Sequence, residues 1–401
     1  MKHAPHAPTL ASSAEDWHFG GFGLYVHWPY CLSKCPYCDF NSHVAASVET
    51  AAWTEAFRLE ISRVAAQTRG RVLRTIYFGG GTPSLMQPEL VGEIVAAAHG
   101  QWTPANDIEV TLEANPTSVE AGKLQAFRDA GVNRVSMGLQ ALNDTDLRRL
   151  GRKHTADEGR GAFELAGRIF DRVSFDLIYA RQFQTLDGWR QELSRALKMH
   201  AGHLSLYQLT VEDGTAFGRM HQRGLLRGLP TDDLGADFYD LTQELCDAAG
   251  IPAYEVSNHA RPGEESRHNL VYWNYGDYAG IGPGAHGRLT NNGSRKATAA
   301  PKDPATWLRQ ACAGCIDDSP SRLSRSEQAT EYLLMGLRLD TGISVSRFAT
   351  LSGHQLPASA VSELLELGMV DLSADQLRTT AAGRPLLNAI LRKLVLAMPG
   401  A

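Results

Sequence analysis

The sequence predicts an α/β protein: a partial or complete (β/α) barrel of parallel strands ringed by helices, followed by a small helical, winged-helix-like domain. Three observations carry this expectation. Short β-rich runs alternate with amphipathic helical stretches from Tyr25 to Leu209; polar residues of chemical character stand just past those runs; and the pattern changes after about Ala300. With 401 residues, 43% apolar and 21% charged, the chain has the composition of a soluble globular protein of more than one domain.

Residues 1–20 hold Lys2 as their only Lys or Arg, beside three histidines, and no apolar run of signal-peptide length. They read as a flexible cytoplasmic tail. No stretch reaches about 18 uninterrupted apolar residues, so no membrane span is predicted, while peripheral membrane contact stays open. The first strand falls at Tyr25 to Trp28, the second at Thr75 to Phe78 and the third at Ile108 to Leu112. Arg134 to Leu139, Val173 to Ile178 and Leu204 to Leu209 supply three more, with helical patterns such as Trp53 to Ala66 and Val119 to Ala130 between them. Strand, helix, strand at this spacing demands parallel pairing with the helices outside. A doubly wound open sheet is the alternative. In either case the carboxyl ends of the strands gather the cysteine loop, GGGTPS, Glu113 and Gln140 at one mouth.

The barrel and its extension are expected over 21–300 and the C-terminal domain over 320–401. In the latter, helical patterns at Glu327 to Leu337, Val345 to Thr350 and Ser359 to Leu367 precede a hairpin in MVDLSADQLRTT and a last helix at Pro385 to Leu396. Winged helices often hold DNA. From Pro320 onward, however, eight Lys and Arg stand against seven Asp and Glu, and the whole chain carries a formal charge of −5. No basic recognition face is evident, so docking is expected rather than nucleic-acid binding.

Six cysteines are too few for a disulfide scaffold, and three of them, Cys31, Cys35 and Cys38, fall in YCLSKCPYCDF with the spacing C-x3-C-x2-C. Three thiolates on one loop can ligate three irons of a 4Fe-4S cubane and leave the fourth iron open to a substrate or cofactor. A Cys3His zinc site completed by His43 is the alternative. Gly79, Gly80 and Gly81 in FGGGTPS let the backbone approach a cofactor closely. Glu113 offers a carboxylate to an ammonium group or to hydroxyls. Cys312 and Cys315 lie three apart with no further ligand nearby and are assigned no function, and Cys246 reads as a buried helix residue.

The C-x3-C-x2-C motif, with Tyr37 just before the third cysteine, resembles the radical S-adenosylmethionine (radical SAM) superfamily. The resemblance narrows through Tyr25, GGGTPS, LEANP around Glu113, SMGLQ ending at Gln140, LGRKHT with Arg152 and DLIYA with Asp176, which together look like the HemN/HemW group. It covers roughly residues 22–290 and the C-terminal region. It implies a 4Fe-4S cluster on Cys31, Cys35 and Cys38, and S-adenosylmethionine contacted by Tyr25, Gly80 and Glu113. A second S-adenosylmethionine is implied at Tyr37, Gly81, Thr82, Gln140, Arg152 and Asp176. Taken singly, Arg152 reads as a helix-end charge, Asp176 as a strand acid and Gln140 as a loop amide.

Two departures point within the group. The coproporphyrinogen dehydrogenases extend the motif to a fourth cysteine where this chain has Phe40, and their long N-terminal region is reduced here to about 20 residues. Both features match the HemW branch of heme chaperones, as does His268-Asn269-x-x-Tyr272-Trp273 (HNxxYW). The resemblance therefore implies heme as cargo, passed to heme-accepting respiratory proteins, with His268 offered to heme iron and Tyr272 and Trp273 to the macrocycle. The alternative account of that segment is aromatic packing on the barrel, with His268 hydrogen-bonded internally. Oxygen-independent coproporphyrinogen III dehydrogenation is the alternative function, and a zinc-bearing winged-helix binder of nucleic acid a remote one.

Overall fold

A computed structural model describes residues 15–45, 48–199 and 201–399. The first 14 residues of the expected tail lie outside the described residues, but its end is not loose. Asp16–Phe19 is a 3-10 turn whose Trp17 is buried beneath the Arg71 guanidinium, 4.4 Å from the ring centroid, while Asp16 pairs with Arg347 at 2.8 Å. The boundary of any tail therefore lies before Glu15, because Trp17 buries apolar area that the composition of the segment masks.

Six strands, β1 (Phe22–Trp28), β2 (Val72–Gly80), β3 (Thr103–Ala114), β4 (Arg134–Gln140), β5 (Arg172–Tyr179) and β6 (His203–Gln208), pair in parallel in chain order. No pairing joins β6 to β1. Instead β7 (Asn258–Ala260) lies antiparallel on β6, and β8 (Asp277–Ile281) lies parallel to β1, with β9 (His286–Asn291) and β10 (Ser294–Ala299) beyond it. The expected barrel is thus a partial one, and the six anticipated strands are all present, the first five longer than expected and the sixth of the expected length but shifted one residue earlier.

Period-two alternation decides what each strand does. Leu24 and Val26, Ile76 and Phe78, Val110 and Leu112, Val135 and Met137, Phe175 and Leu177, and Leu204 and Leu206 are buried toward the surrounding helices. The intervening residues face the lumen. Outside, α1 (Thr50–Gln67) buries Trp53, Phe57, Ile61 and Val64, one helical stripe whose members each contribute roughly 1.5–3 kcal/mol on leaving water. The helix expected over Val119 to Ala130 is two pieces, Ser118–Ala121 and Leu124–Asp129. Gly122 weakens the turn between them, and the buried Glu120 carboxylate accepts from the Asn115 amide at 3.0 Å and from Ser84.

The strand that closes the far side of β1 is anchored by a buried ionic knot. Asp277 accepts from Arg71 at 2.7 Å, from Arg295 at 2.9 Å and from the Thr290 hydroxyl at 2.9 Å. Beyond it, the C-terminal helices at Arg325–Gly336, Val345–Ser352, Ala358–Glu366 and Leu387–Leu396 enclose a core of their own around Leu333, Phe348, Leu364, Leu377 and Leu391. The expected hairpin is present as Val370–Ser373 and Gln376–Thr379, joined by Ile343–Ser344 into a three-stranded wing. Ser324 and Glu327 form a capping box at the first of these helices.

Candidate cofactor site

The carboxyl ends of the six parallel strands surround one cavity of about 700 Å³. The chain leaving β1 enters the three-cysteine loop, whose ends are held side by side by pairing of Tyr30–Cys31 with His43–Val44. Cys31, Cys35 and Cys38 all line the cavity, as do Tyr37, Gly80, Gly81, Thr82, Glu113, Gln140, Arg152 and Asp176. Sequence positions 145 residues apart thus meet in one place. Among the described residues, no three His, Cys, Asp or Glu side chains converge into a ready-made metal cage. His43 does not line the cavity; its Nε2 lies 3.3 Å from Asn41 Oδ1, so the mixed Cys3His set is not assembled.

Each thiol has a polar neighbour. The Thr82 hydroxyl donates to Cys31 Sγ at 3.3 Å, Arg152 Nη1 to Cys35 Sγ at 3.5 Å, and Ser42 Oγ lies 4.0 Å from Cys38 Sγ. Burial raises the Cys31 and Cys38 thiols above the ordinary range. Phe40, where a fourth cysteine would stand in a longer motif, is 60% exposed at the cavity mouth.

Opposite the loop is a network of charges. Arg152 Nη2 donates to Asn115 Oδ1 at 2.5 Å and to the Gly138 carbonyl at 2.9 Å, while its buried Nε has no partner. Gln140, held at φ 66°, donates through Nε2 to Asp176 at 2.6 Å. Tyr77 donates to Glu113 at 2.7 Å. Burial pushes the Glu113 carboxyl up to about 7, helped by the nearby Asp176 charge, and burial likewise raises Asp176 to about 6. Two acids thus sit where the protein alone does not supply enough positive charge to hold both ionised.

Four anticipated residues are elsewhere. Tyr25 does not line the cavity; its hydroxyl lies 3.0 Å from His27 Nδ1. His268 is buried, with Nδ1 2.7 Å from Thr75 Oγ1 and Nε2 2.6 Å from Tyr272 OH. Both ring nitrogens are occupied, and burial, with Arg134 nearby, lowers its pKa to about 3. This is the internally hydrogen-bonded arrangement set out above as the alternative; ligation through either nitrogen would require that nitrogen's bond, to Tyr272 or to Thr75, to open while the other could stay. Tyr272 packs edge-on against Tyr278 at 4.3 Å, and Trp273 lies under the Arg338 guanidinium at 4.7 Å. Of the HNxxYW segment, Asn269 reaches the cavity. The segment folds as a short helix, Arg267–Trp273, whose first amides donate to the buried carboxylate of Glu109.

The cavity also has lining residues that the sequence reading passed over: Tyr77, Asn115, Arg134, Ser136, His203, Ser205, Tyr207 and Arg338. Most were signalled by alternation. A parallel strand buried on both faces should be continuously apolar, so His203, Ser205 and Tyr207 in HLSLYQ mark a polar lumen. Arg338 carries no such signal, since it arrives from the C-terminal domain.

Comparison with known proteins bears on this arrangement. The Radical SAM superfamily description matches residues 25–192, and the HemN C-terminal domain description matches residues 323–386. The chain is 39% identical over 385 residues to the bovine radical S-adenosyl methionine domain-containing protein 1, mitochondrial, covering 93% of this chain and 87% of the relative. It is 34% identical to the heme chaperone HemW of Escherichia coli, covering 92% of this chain and 96% of that one. Among solved structures, the coproporphyrinogen III oxidase HemN of Escherichia coli superposes with a TM-score of 0.79 at 21% identity, over 94% of this chain and 91% of that one.

Proposed function

The chain belongs to the HemN/HemW group of the radical SAM superfamily, and from that premise we propose that it is a heme chaperone: it binds heme alongside a 4Fe-4S cluster and S-adenosylmethionine and passes heme to respiratory-chain acceptors. One observation carries the reading, the 34% identity to heme chaperones that extends through both domains. Phe40 in place of a fourth cysteine supports it against coproporphyrinogen dehydrogenation. A reducing compartment, the cytoplasm in a bacterial cell, suits three unpaired thiols.

The residues present fit the two cofactors. Three soft thiols with hydroxyl and guanidinium donors at their sulfurs suit an iron–sulfur cluster, whose sulfurs accept such bonds. The raised carboxyls of Glu113 and Asp176 lack the positive charge that an ammonium or sulfonium group brings. Cys31, Cys35 and Cys38 would hold the cluster. Gly80 and Glu113 would hold one S-adenosylmethionine, with Tyr25 supporting from behind, and Tyr37, Gly81, Thr82, Gln140, Arg152 and Asp176 would bind further cofactor atoms. Bound there, the cluster would supply one-electron reducing chemistry beside the S-adenosylmethionine. The chain's own residues bind, neutralise and orient: Tyr77 fixes one Glu113 oxygen, Gln140 fixes Asp176, and Asn115 and Gly138 aim Arg152. Heme contact at Tyr272 and Trp273, and at His268 once one of its two bonds opens, belongs to the same proposal.

The test is an anaerobic reconstitution followed by two parallel assays. Iron and sulfide should appear in about four-to-four ratio, and zinc without sulfide overturns the reading. Heme titration should give a stable complex that loses heme to an apo-acceptor. Turnover of coproporphyrinogen III to protoporphyrinogen IX would assign the enzyme activity instead.

A further inference from the structure

We propose that Asn41 is a positioning residue whose carboxamide clasps the downstream end of the three-cysteine loop to the barrel and so fixes where Cys38 stands. Asn41 does not line the cavity. Its Nδ2 donates to the Pro283 carbonyl at 2.9 Å and to the Lys302 carbonyl at 3.0 Å, 242 and 261 residues along the chain. Two carbonyls can only accept, so they fix which end of the amide is nitrogen. The opposite oxygen, Oδ1, faces His43 Nε2. One side chain therefore binds the loop to the turn that follows β8 and to the segment that leads into the helix Pro304–Cys312.

The surrounding backbone is shaped to admit this amide. Gly284 sits at φ +77°, and a Cβ there would stand 2.5 Å from Asn41 Nδ2. Gly282, at φ +102°, would bring a Cβ within 2.3 Å of the His27 carbonyl. Both glycines of Gly282-Pro283-Gly284 are thus required by what approaches them. From below, the Asn41 carbonyl accepts from His27 Nε2 at 2.9 Å. That assignment leaves His27 Nδ1 to accept from the Tyr25 hydroxyl. The His27 ring also lies beneath Gly80, where a Cβ would come within 2.6 Å of it. The clasp therefore sets the cysteine loop, the GGGTPS loop and the closing turn in one frame. Tyr25 and Gly80, read from sequence as cofactor contacts, meet Asn41 through the same imidazole.

The inference rests on the cluster reading only in its consequence for iron, so the test begins with metal-free thiols. Full-length Asn41→Ala and Asn41→Asp chains, reduced and anaerobic, are labelled with a maleimide, and each cysteine is followed by peptide mass spectrometry. Cys38 should label at least about fivefold faster than in the parent chain, as expected for removing one part-buried and one exposed hydrogen bond. Cys31, pinned by its strand pairing, should change by less than about twofold, and buried Cys246 should stay protected. An unchanged Cys38 rate with Cys246 protected overturns the proposal. Should Cys246 open as well, hydrogen exchange on the parent chain decides: the amides of His43 and Gly284 should show protection within about tenfold of each other, as one opening unit, and independent opening overturns the proposal. Faster Cys38 labelling in a chain that binds no iron and sulfide leaves the clasp standing and removes the cluster reading.

Discussion

Replacing Glu113 by Gln in the ligand-free chain should make the protein more stable at neutral pH and erase part of its pH dependence. The Glu113 carboxyl is raised from 4.5 to about 7, first by burial and then by the neighbouring Asp176 charge. At about 1.4 kcal/mol per unit, that difference sets a ceiling of about 3 kcal/mol. The sign follows from linkage. A carboxyl that binds its proton more tightly when folded contributes stability fully below 4.5, and that contribution is lost as pH rises through about 7. Urea denaturation of the two proteins between pH 4.5 and 8 should therefore show a falling curve for the parent and a flatter one for Glu113→Gln. Asp176, raised from 3.8 to about 6, still titrates in Glu113→Gln, so the variant's curve flattens without becoming level. Parallel profiles would refute the account of Glu113 as an acid short of a counter-charge. The same linkage predicts that S-adenosylmethionine, which brings that charge, binds more tightly as pH rises toward 7, with protons released into the buffer on calorimetry.

Serine at any one of Cys31, Cys35 or Cys38 should abolish stable iron and sulfide incorporation on anaerobic reconstitution, read by metal and sulfide analysis, whereas serine at Cys312 or Cys315 should leave it unchanged. His268→Ala should cost about 2–3 kcal/mol in urea denaturation, because Thr75 and Tyr272 each lose a partner; a variant as stable as the parent would show that the imidazole is held more loosely than its contacts imply. Asp277→Asn should cost about 3–5 kcal/mol by the same assay, since Arg71 and Arg295 would be left buried without their shared anion.

What was legible in the sequence was legible for physical reasons. Six apolar runs spaced by helical stripes forced parallel pairing, and parallel pairing forced one mouth for the cysteine loop, GGGTPS, Glu113 and Gln140, whereas Arg152 and Asp176 joined them only through the resemblance to the HemN/HemW group. Closure was not legible, because strand order at the ends of the sheet depends on β7 and β8, two short strands with no strong pattern of their own. His268 was left between two accounts for a related reason. A histidine in a polar-aromatic motif looks available until Thr75, 193 residues earlier, is seen to occupy Nδ1. Asn41 stood in plain view three residues after Cys38. Its meaning depends on backbone carbonyls at Pro283 and Lys302, which no side-chain pattern announces.

The reach of Arg338 into the cavity has a consequence for how such chains evolve or are engineered. Arg338 comes from the C-terminal region, yet it donates to the fully buried Glu255 at 3.0 and 3.2 Å and forms part of the lining. The two regions look like separate cassettes in sequence, but exchanging the C-terminal one between relatives would replace a piece of the binding wall and strand a carboxylate at the seam. Chimaeras should therefore be viable only where the incoming segment brings its own cation to that position. In a chain of this kind the ligand chamber and its neighbour are inherited together.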